Sequence, residues 1–349
     1  MVRHHLGQVT AGLLTAAALA VAAAAGAQAP TGFGPGARVL LDGHNAYPER
    51  GRWADRIERV LATGTPVAIE QDLYWVRQPG RDGSTSVVAH DSDAVAAAPS
   101  FEAYFFKRIA PIMDKALAEE RRDTWPLIVL NLDFKSNEPA HHEYVWQLLG
   151  KYERWLTGAP RTLRPAAEPL TAGPLLVLTG ADVGQRARFY DAVPAGSRLR
   201  VFGALPSPSV PGDTPEDRAL NAVRMSAAEW IPPGGDNYTR WVNFPWGAIE
   251  AGGQHEAGRW TAGDANRLKA LVERAHAMRL WIRFYTIDGF TAASDRGFNA
   301  SYNFGSIDAA RVRWRAAIAQ GVDFIATDQY ADFARARQTV AHRARPPGK

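Results

Sequence analysis

Eight short runs rich in β-branched and aromatic residues recur along the chain, at 38–44, 66–75, 126–135, 174–179, 198–205, 240–246, 280–288 and 322–328. Between them, apolar positions at helical spacing predict helices over 53–62, 101–121, 141–156, 262–278 and 307–320. Strand alternating with helix is the pattern of a parallel sheet, and eight such units favour closure into a (β/α)8 TIM barrel over an open doubly wound sheet. Two features break the regularity. The turn signals Pro79-Gly80 and Asp82-Gly83 precede a further β-rich run at 86–90, so the second strand is expected to continue into an excursion above the barrel. Residues 206–237, rich in Pro and Gly with one helical patch at 216–229, read as a long loop insertion of the kind that often carries function.

Residues 1–29 stand apart from this pattern. Arg3, His4 and His5 give a weakly basic start, and 13–25 is a small-apolar run interrupted only by Thr15. Small residues at Ala25 and Ala27, or at Ala27 and Ala29, suit the positions before a cleavage site. The stretch is expected to be a cleaved signal peptide, making the protein secreted or periplasmic, because the apolar run falls short of the about 20 residues a membrane span needs. Residues 30–349 then form a single domain, since no interior segment reads as a linker. The chain has no cysteine, so export brings no disulfide and a lipid-anchored start is excluded. A formal net charge of +4 is too small a bias to imply a nucleic-acid partner. The basic cluster Arg335, Arg337, Arg343, Arg345 and Lys349 reads as a solvated tail, and the protein is expected to be a monomer.

Side chains alternate between the two faces of a strand, so parity sorts the barrel interior from the helix side. In 66–75, Val67 and Ile69 fall on the helix side, leaving Ala68, Glu70 and Asp72 inside. In 126–135, Ile128, Leu130, Leu132 and Phe134 meet the helices, and Asn131, Asp133 and Lys135 face inward. In 38–44, Asp42 and His44 share the inner face, and His90 ends the excursion. Polar residues at the C-terminal ends of several strands are what a barrel active site requires. Glu70, Asp72 and Asp133 together would repel one another and lose solvation, so a positive charge is expected among them. A divalent cation, Ca²⁺ or Mg²⁺, suits the all-oxygen set, with Lys135 as the competing partner. Asp288 and Asp328, each at a strand end, read first as helix caps. His141 and His142 read as surface residues at a helix start, and His255 as a loop residue near the mouth.

The order of these motifs resembles the phospholipase C-like phosphodiesterase superfamily, which includes glycerophosphodiester phosphodiesterases and phosphatidylinositol-specific phospholipase C. The resemblance rests on His44-Asn45-Ala46-Tyr47-Pro48-Glu49, then Glu70-x-Asp72, then Val88-Ala89-His90-Asp91. It continues through Asp133-Phe134-Lys135, Tyr285-Thr286-Ile287-Asp288, Gly321-Val322-Asp323 and Thr327-Asp328, and so spans most of the chain. It implies a TIM barrel in which His44 and His90 act as general acid and base, Glu70, Asp72 and Asp133 hold a metal, and Lys135 contacts a phosphate oxygen. Asn45 stands where the glycerophosphodiesterases carry Arg and their first motif is longer, which brings the opening closer to the phospholipase C-like relatives.

The implied substrate is a small-molecule or phospholipid phosphodiester, such as a glycerophosphodiester or a phosphoinositide-type head group, with transient peripheral membrane contact. Asn45, Lys135, Tyr285 and Trp246 are the candidate substrate-binding residues. Two other readings compete. A secreted glycoside hydrolase would use paired carboxylates and some of the 11 Trp, but it needs no histidine pair, and its carboxylates flank a bond instead of sitting i, i+2 on one strand. A non-catalytic binding protein on the same barrel would have no evident use for both histidines and all three acids.

Overall fold

The computed structural model describes residues 32–48, 52–77, 83–163, 167–251, 258–291 and 303–344, with side chains to residue 340. The expected leader, Glu49, His255, Arg345 and Lys349 lie outside them, whereas Arg335, Arg337 and Arg343 belong to a helix, Tyr330–Ala344, and not to a tail. The described residues hold eleven strands: β1 (Leu40–Gly43), β2 (Val67–Arg77), β3 (Ser84–Val88), β4 (Ile128–Phe134), β5 (Ala159–Pro160), β6 (Leu175–Thr179), β7 (Arg198–Leu199), β8 (Phe202–Ala204), β9 (Thr239–Pro245), β10 (Trp281–Tyr285) and β11 (Phe324–Thr327). Eight of these pair in parallel in the order β1-β11-β10-β9-β8-β6-β4-β2, and β2 returns to β1 to close the barrel. The expected run at 198–205 divides instead: β7 pairs antiparallel with β5 outside the barrel, and only β8 joins the wall.

Register builds the interior in layers, as barrel closure demands. Trp241 lies opposite Trp281 low in the barrel, and two residues further on Asn243 lies opposite Arg283. Asp42 is flanked in register by Ala68 and Ala326, whose small side chains leave space for a charged layer above the indoles. The outward row of the strands, including Val67, Ile69, Leu130, Val242 and Phe284, is buried against the helices.

The second strand does continue beyond the barrel. β2 runs to Arg77 and pairs antiparallel with β3, placing Leu73 opposite Val88 and Trp75 opposite Ser86. The Ala89 amide then donates to the Asp72 carbonyl at 3.0 Å, which fixes His90 beside the mouth. The insertion at 206–237 holds two short helices, Pro215–Arg224 and Ala227–Trp230, instead of one. Each begins with its own capping box, Thr214 with Asp217 and Ser226 with Glu229, and the extended residue Met225 separates them. Trp230 packs on Phe244 with ring centroids 4.9 Å apart, so the insertion clads the outer wall. It contributes no residue to the cavity described below.

His141 and His142 are not surface residues. Both are fully buried at the start of the helix Pro139–Lys151, because that helix end lies beneath the β2–β3 hairpin instead of in solvent. His141 bonds Ser86 Oγ at 2.8 Å and the Ser136 carbonyl at 2.9 Å, tying the helix to the hairpin. Burial lowers its pKa to about 4. The unfolded chain therefore takes up this proton first, and the associated stability is complete above pH 6.5 and lost as pH falls toward 4. Urea denaturation at pH 7 and pH 5 is expected to show that His141→Gln removes about 2 kcal/mol of the wild-type loss of stability on acidification.

Candidate active site

The C-terminal ends of the strands surround a polar cavity of about 250 Å³ lined by His44, Asn45, Glu70, Asp72, His90, Asp133, Lys135, Asn243, Arg283, Tyr285 and Thr286. Both histidines, all three acids, Lys135, Asn45 and Tyr285 from the sequence reading thus meet in one place. Trp246 does not. It is fully buried beyond the wall, where its indole N–H donates to Glu250 at 2.6 Å and its ring packs on Trp260 and Phe284. Its position just past β9 put it near the mouth in sequence, but the turn there directs the ring into the core.

Arg283, like Asn243, lines the cavity without having been singled out from the sequence. It is 1% exposed, and its guanidinium fork bonds Asp42 through Nε, Asn243 through Nη1 at 2.9 Å and Glu70 through Nη2 at 3.1 Å. The signal was available: an arginine inside the apolar run Trp281-Ile282-Arg283-Phe284-Tyr285 shares its face with Tyr285 and must be paired if buried. Lys135 is the second cation, at 2.7 Å from Asp133 and 3.2 Å from Asp72. Both expected sources of positive charge, Lys135 and a divalent ion, therefore have to be weighed beside a third.

The carboxylates differ in environment. Burial raises Glu70, but Arg283 and then His44 outweigh it and hold the carboxyl at about 2. Asp72 is pushed well above the usual range by burial, and by the charges of Glu70 and Asp133. One Asp72 oxygen, Oδ1, is buried without a hydrogen-bond partner. Asp133 is more open, with 44% of its side chain exposed. Donor oxygens of Glu70, Asp72 and Asp133 all lie within 4.8 Å of one another. Hard oxygen donors at this spacing, one of them buried and unpartnered, fit a Ca²⁺ or Mg²⁺ ion.

His44 is held from several directions. Its Nδ1 meets Asp328 Oδ1 at 2.8 Å, its Nε2 lies 3.6 Å from Glu70, and its carbonyl accepts from Tyr330 at 2.7 Å. Burial would lower its pKa, but Glu70 and Asp328 raise it to about 9. Asn45 sits at φ +51, a left-handed conformation that Asn tolerates. Its backbone N–H donates to Glu70 at 3.2 Å, while its side chain bonds Asp328 and accepts from Tyr47 at 2.6 Å. Tyr47 in turn stacks on His90, centroids 6.2 Å apart, and His90 Nδ1 meets Asp91 at 2.7 Å.

Asp328 and Asp288 are therefore not primarily helix caps. The Asp328 carboxylate serves His44 and Asn45, and Asp288 accepts from Thr327 Oγ1 at 2.5 Å and the Asp328 amide at 2.8 Å. Burial, then the neighbouring Asp328, pushes Asp288 up to about 7. The strand end turned these carboxylates back toward β1, a long-range placement that local cap signals do not contain.

No family model matches the chain, and no curated protein matches it. Several solved structures resemble it at low identity. A glycerophosphoryl diester phosphodiesterase from Parabacteroides distasonis ATCC 8503 is 14% identical, with 86% of this chain and 87% of that one covered and a TM-score of 0.39. A calcium-dependent phosphoinositol-specific phospholipase C from a Gram-negative Pseudomonas sp is 13% identical, with 86% and 92% covered and a TM-score of 0.44. Plasmodium falciparum HPPK-DHPS superposes comparably, at 11% identity and a TM-score of 0.45, with 90% of this chain matching 50% of that one. Likenesses this distant carry no chemistry over to this chain.

Replacing Arg283 by Met strands two buried carboxylates. The expected loss is about 3–5 kcal/mol of unfolding free energy in urea, the cost of removing one partner from a buried pair. A double variant Asp42→Leu, Arg283→Met is expected to be more stable than Arg283→Met alone, since one stranded charge is gone.

Proposed function

We propose that this chain is a phosphodiesterase that cleaves a glycerophosphodiester or a phosphoinositide-type phospholipid head group. The observation that carries the reading is the convergence of His44, His90, Glu70, Asp72, Asp133 and Lys135 on one polar cavity at the C-terminal mouth. Phosphodiester cleavage needs one group to take the proton of the attacking hydroxyl and another to give a proton to the leaving oxygen, and two imidazoles meet that need. Asp328 orients the His44 ring, and Asp91 with Tyr47 orients His90. Lys135 is the cation placed to meet a phosphate oxygen, because the Arg283 fork is occupied by Asp42, Asn243 and Glu70. Tyr285 completes the wall.

Glu70, Asp72 and Asp133 would hold the divalent ion, which supplies charge neutralisation for non-bridging oxygens and acidifies the attacking hydroxyl. The opening His44-Asn45 and the named phosphodiesterases of similar fold agree with this reading. The clustering of the acids within 4.8 Å suits one shared cation better than two carboxylates flanking a glycosidic bond. We further propose that the protein works outside the cytoplasm as a monomer after loss of its leader, touching membranes only peripherally. No helix among the described residues is long and apolar enough to cross a membrane.

Hydrolysis of bis(p-nitrophenyl) phosphate and of a panel of glycerophosphodiesters and phosphoinositides tests the reading. Turnover is expected to need Ca²⁺ or Mg²⁺, to vanish with chelator, and to fall at least about 100-fold in His44→Ala and in Glu70→Gln, the scale of one acid–base contribution. Turnover indifferent to chelator would return the acids to a metal-free role paired with Lys135 and Arg283. Absence of turnover across the panel would sink the phosphodiesterase assignment. Mass spectrometry of exported protein is expected to find an N-terminus at Gln28 or Pro30.

A further inference from the structure

The opposite mouth of the barrel holds a larger cavity, about 460 Å³, around the N-terminal ends of β4, β9 and β10. Its walls include Phe33, Trp125, Trp281, Arg122, Arg240 and Arg279. Arg240 is 7% exposed, yet it forms no ion pair among the described residues. Its Nε and Nη2 are bonded only to neutral oxygens, the carbonyls of Asn237 and Glu168 and the Asn237 side-chain amide. Nη1 has no acceptor among the described residues. Burial lowers the pKa of this guanidinium to about 10, against the charges of Asp236 and Glu168, neither of which bonds it through its carboxylate. Glu168 also borders the cavity, but it gives Arg240 only its backbone oxygen.

A buried charge without a directly bonded counter-charge is costly unless something supplies one. Trp125, Trp281 and Phe33 border the cavity as an aromatic wall, in which Phe33 packs on Trp281 with centroids 5.2 Å apart. The Trp281 indole N–H is buried and also lacks an acceptor. An unmet guanidinium donor beside an aromatic wall describes a pocket for a ring that carries an anion. None of these residues takes part in the upper site.

We infer that the lower mouth is a second, non-catalytic binding site for a small aromatic carboxylate, its anion on Arg240 and its ring against the aromatic wall of the cavity. The inference does not depend on the phosphodiesterase reading, because its readout is binding alone.

Calorimetric titration of the full chain with 2-naphthoate and with its neutral isostere 2-naphthamide tests it. The acid is expected to bind at least tenfold more tightly than the amide. Arg240→Met is expected to erase that preference, with near-ultraviolet circular dichroism confirming the fold. Ala172→Trp fills the cavity without removing Arg240 and is expected to abolish binding of both probes, so it decides the matter if Arg240→Met does not fold. His44→Ala and chelator are expected to change neither affinity. Equal affinity for acid and amide, full 2-naphthoate binding in folded Arg240→Met, full binding in Ala172→Trp, or loss of binding in His44→Ala would each overturn the inference.

Discussion

Arg283 is the charge on which the upper half of the barrel depends. Four carboxylates, Asp42, Glu70, Asp72 and Asp133, reach the inner face of three adjacent strands, and the first three are all but excluded from solvent. Mutual repulsion and lost hydration would drive such a set apart. The guanidinium binds Asp42 below and Glu70 above, and its third contact, to Asn243, keeps the fork in plane. Trp241 and Trp281 close the layer underneath, so these contacts act in a medium that screens them weakly. One consequence reaches the chemistry directly: Glu70 stays ionised and holds the charge that His44 faces.

The two histidines are fixed by unrelated means. His44 ends a barrel strand and is clamped by groups from the other side of the closure, Asp328 and Tyr330. His90 stands outside the barrel on the return of a hairpin, and its position depends on how that hairpin is anchored. The anchor is the buried pair of contacts from His141 to Ser86 and Ser136, together with the stacking of Trp75 on His141 at 5.4 Å. A histidine that takes no part in the cavity thus sets where a candidate proton-transfer group lies. Elements that pack closely transmit such displacements because they have little free volume to absorb them.

The barrel was legible in the sequence because its signals are local: apolar alternation, strand-to-helix succession and turn residues each lie within one element. Parity alone put Glu70, Asp72, Asp133 and Lys135 on one face, and their register across β2 and β4 agrees, with Asp72 opposite Asp133. What parity does not convey is which strand ends meet across the closure. Asp328 and Asp288 looked like caps because a cap needs only neighbours in sequence, whereas their partners lie near residue 44 or across adjoining strands. His141 and His142 looked exposed because the cover over their helix comes from residues more than fifty positions away. Trp246 looked like a rim residue because strand parity ends at Pro245, and the turn that follows sends the ring into the core. In each case the deciding contact is long-range.

A barrel supports many chemistries. The distinguishing content lies in a handful of positions at the ends of β1, β2 and β4 and in the hairpin after β2. Arg283 and Lys135 offset two of the four carboxylates, and protonation of His44 offsets a third, yet one buried oxygen of Asp72 still has no partner. A structure evolved for packing alone would have little reason to keep that oxygen, since an apolar residue there would avoid the desolvation. Its retention beside two further acids, with imidazoles lining the same cavity, is physically economical when a cation and a phosphate complete the set. That cluster of acids and imidazoles, rather than resemblance of outline, is what the proposed phosphodiester chemistry rests on.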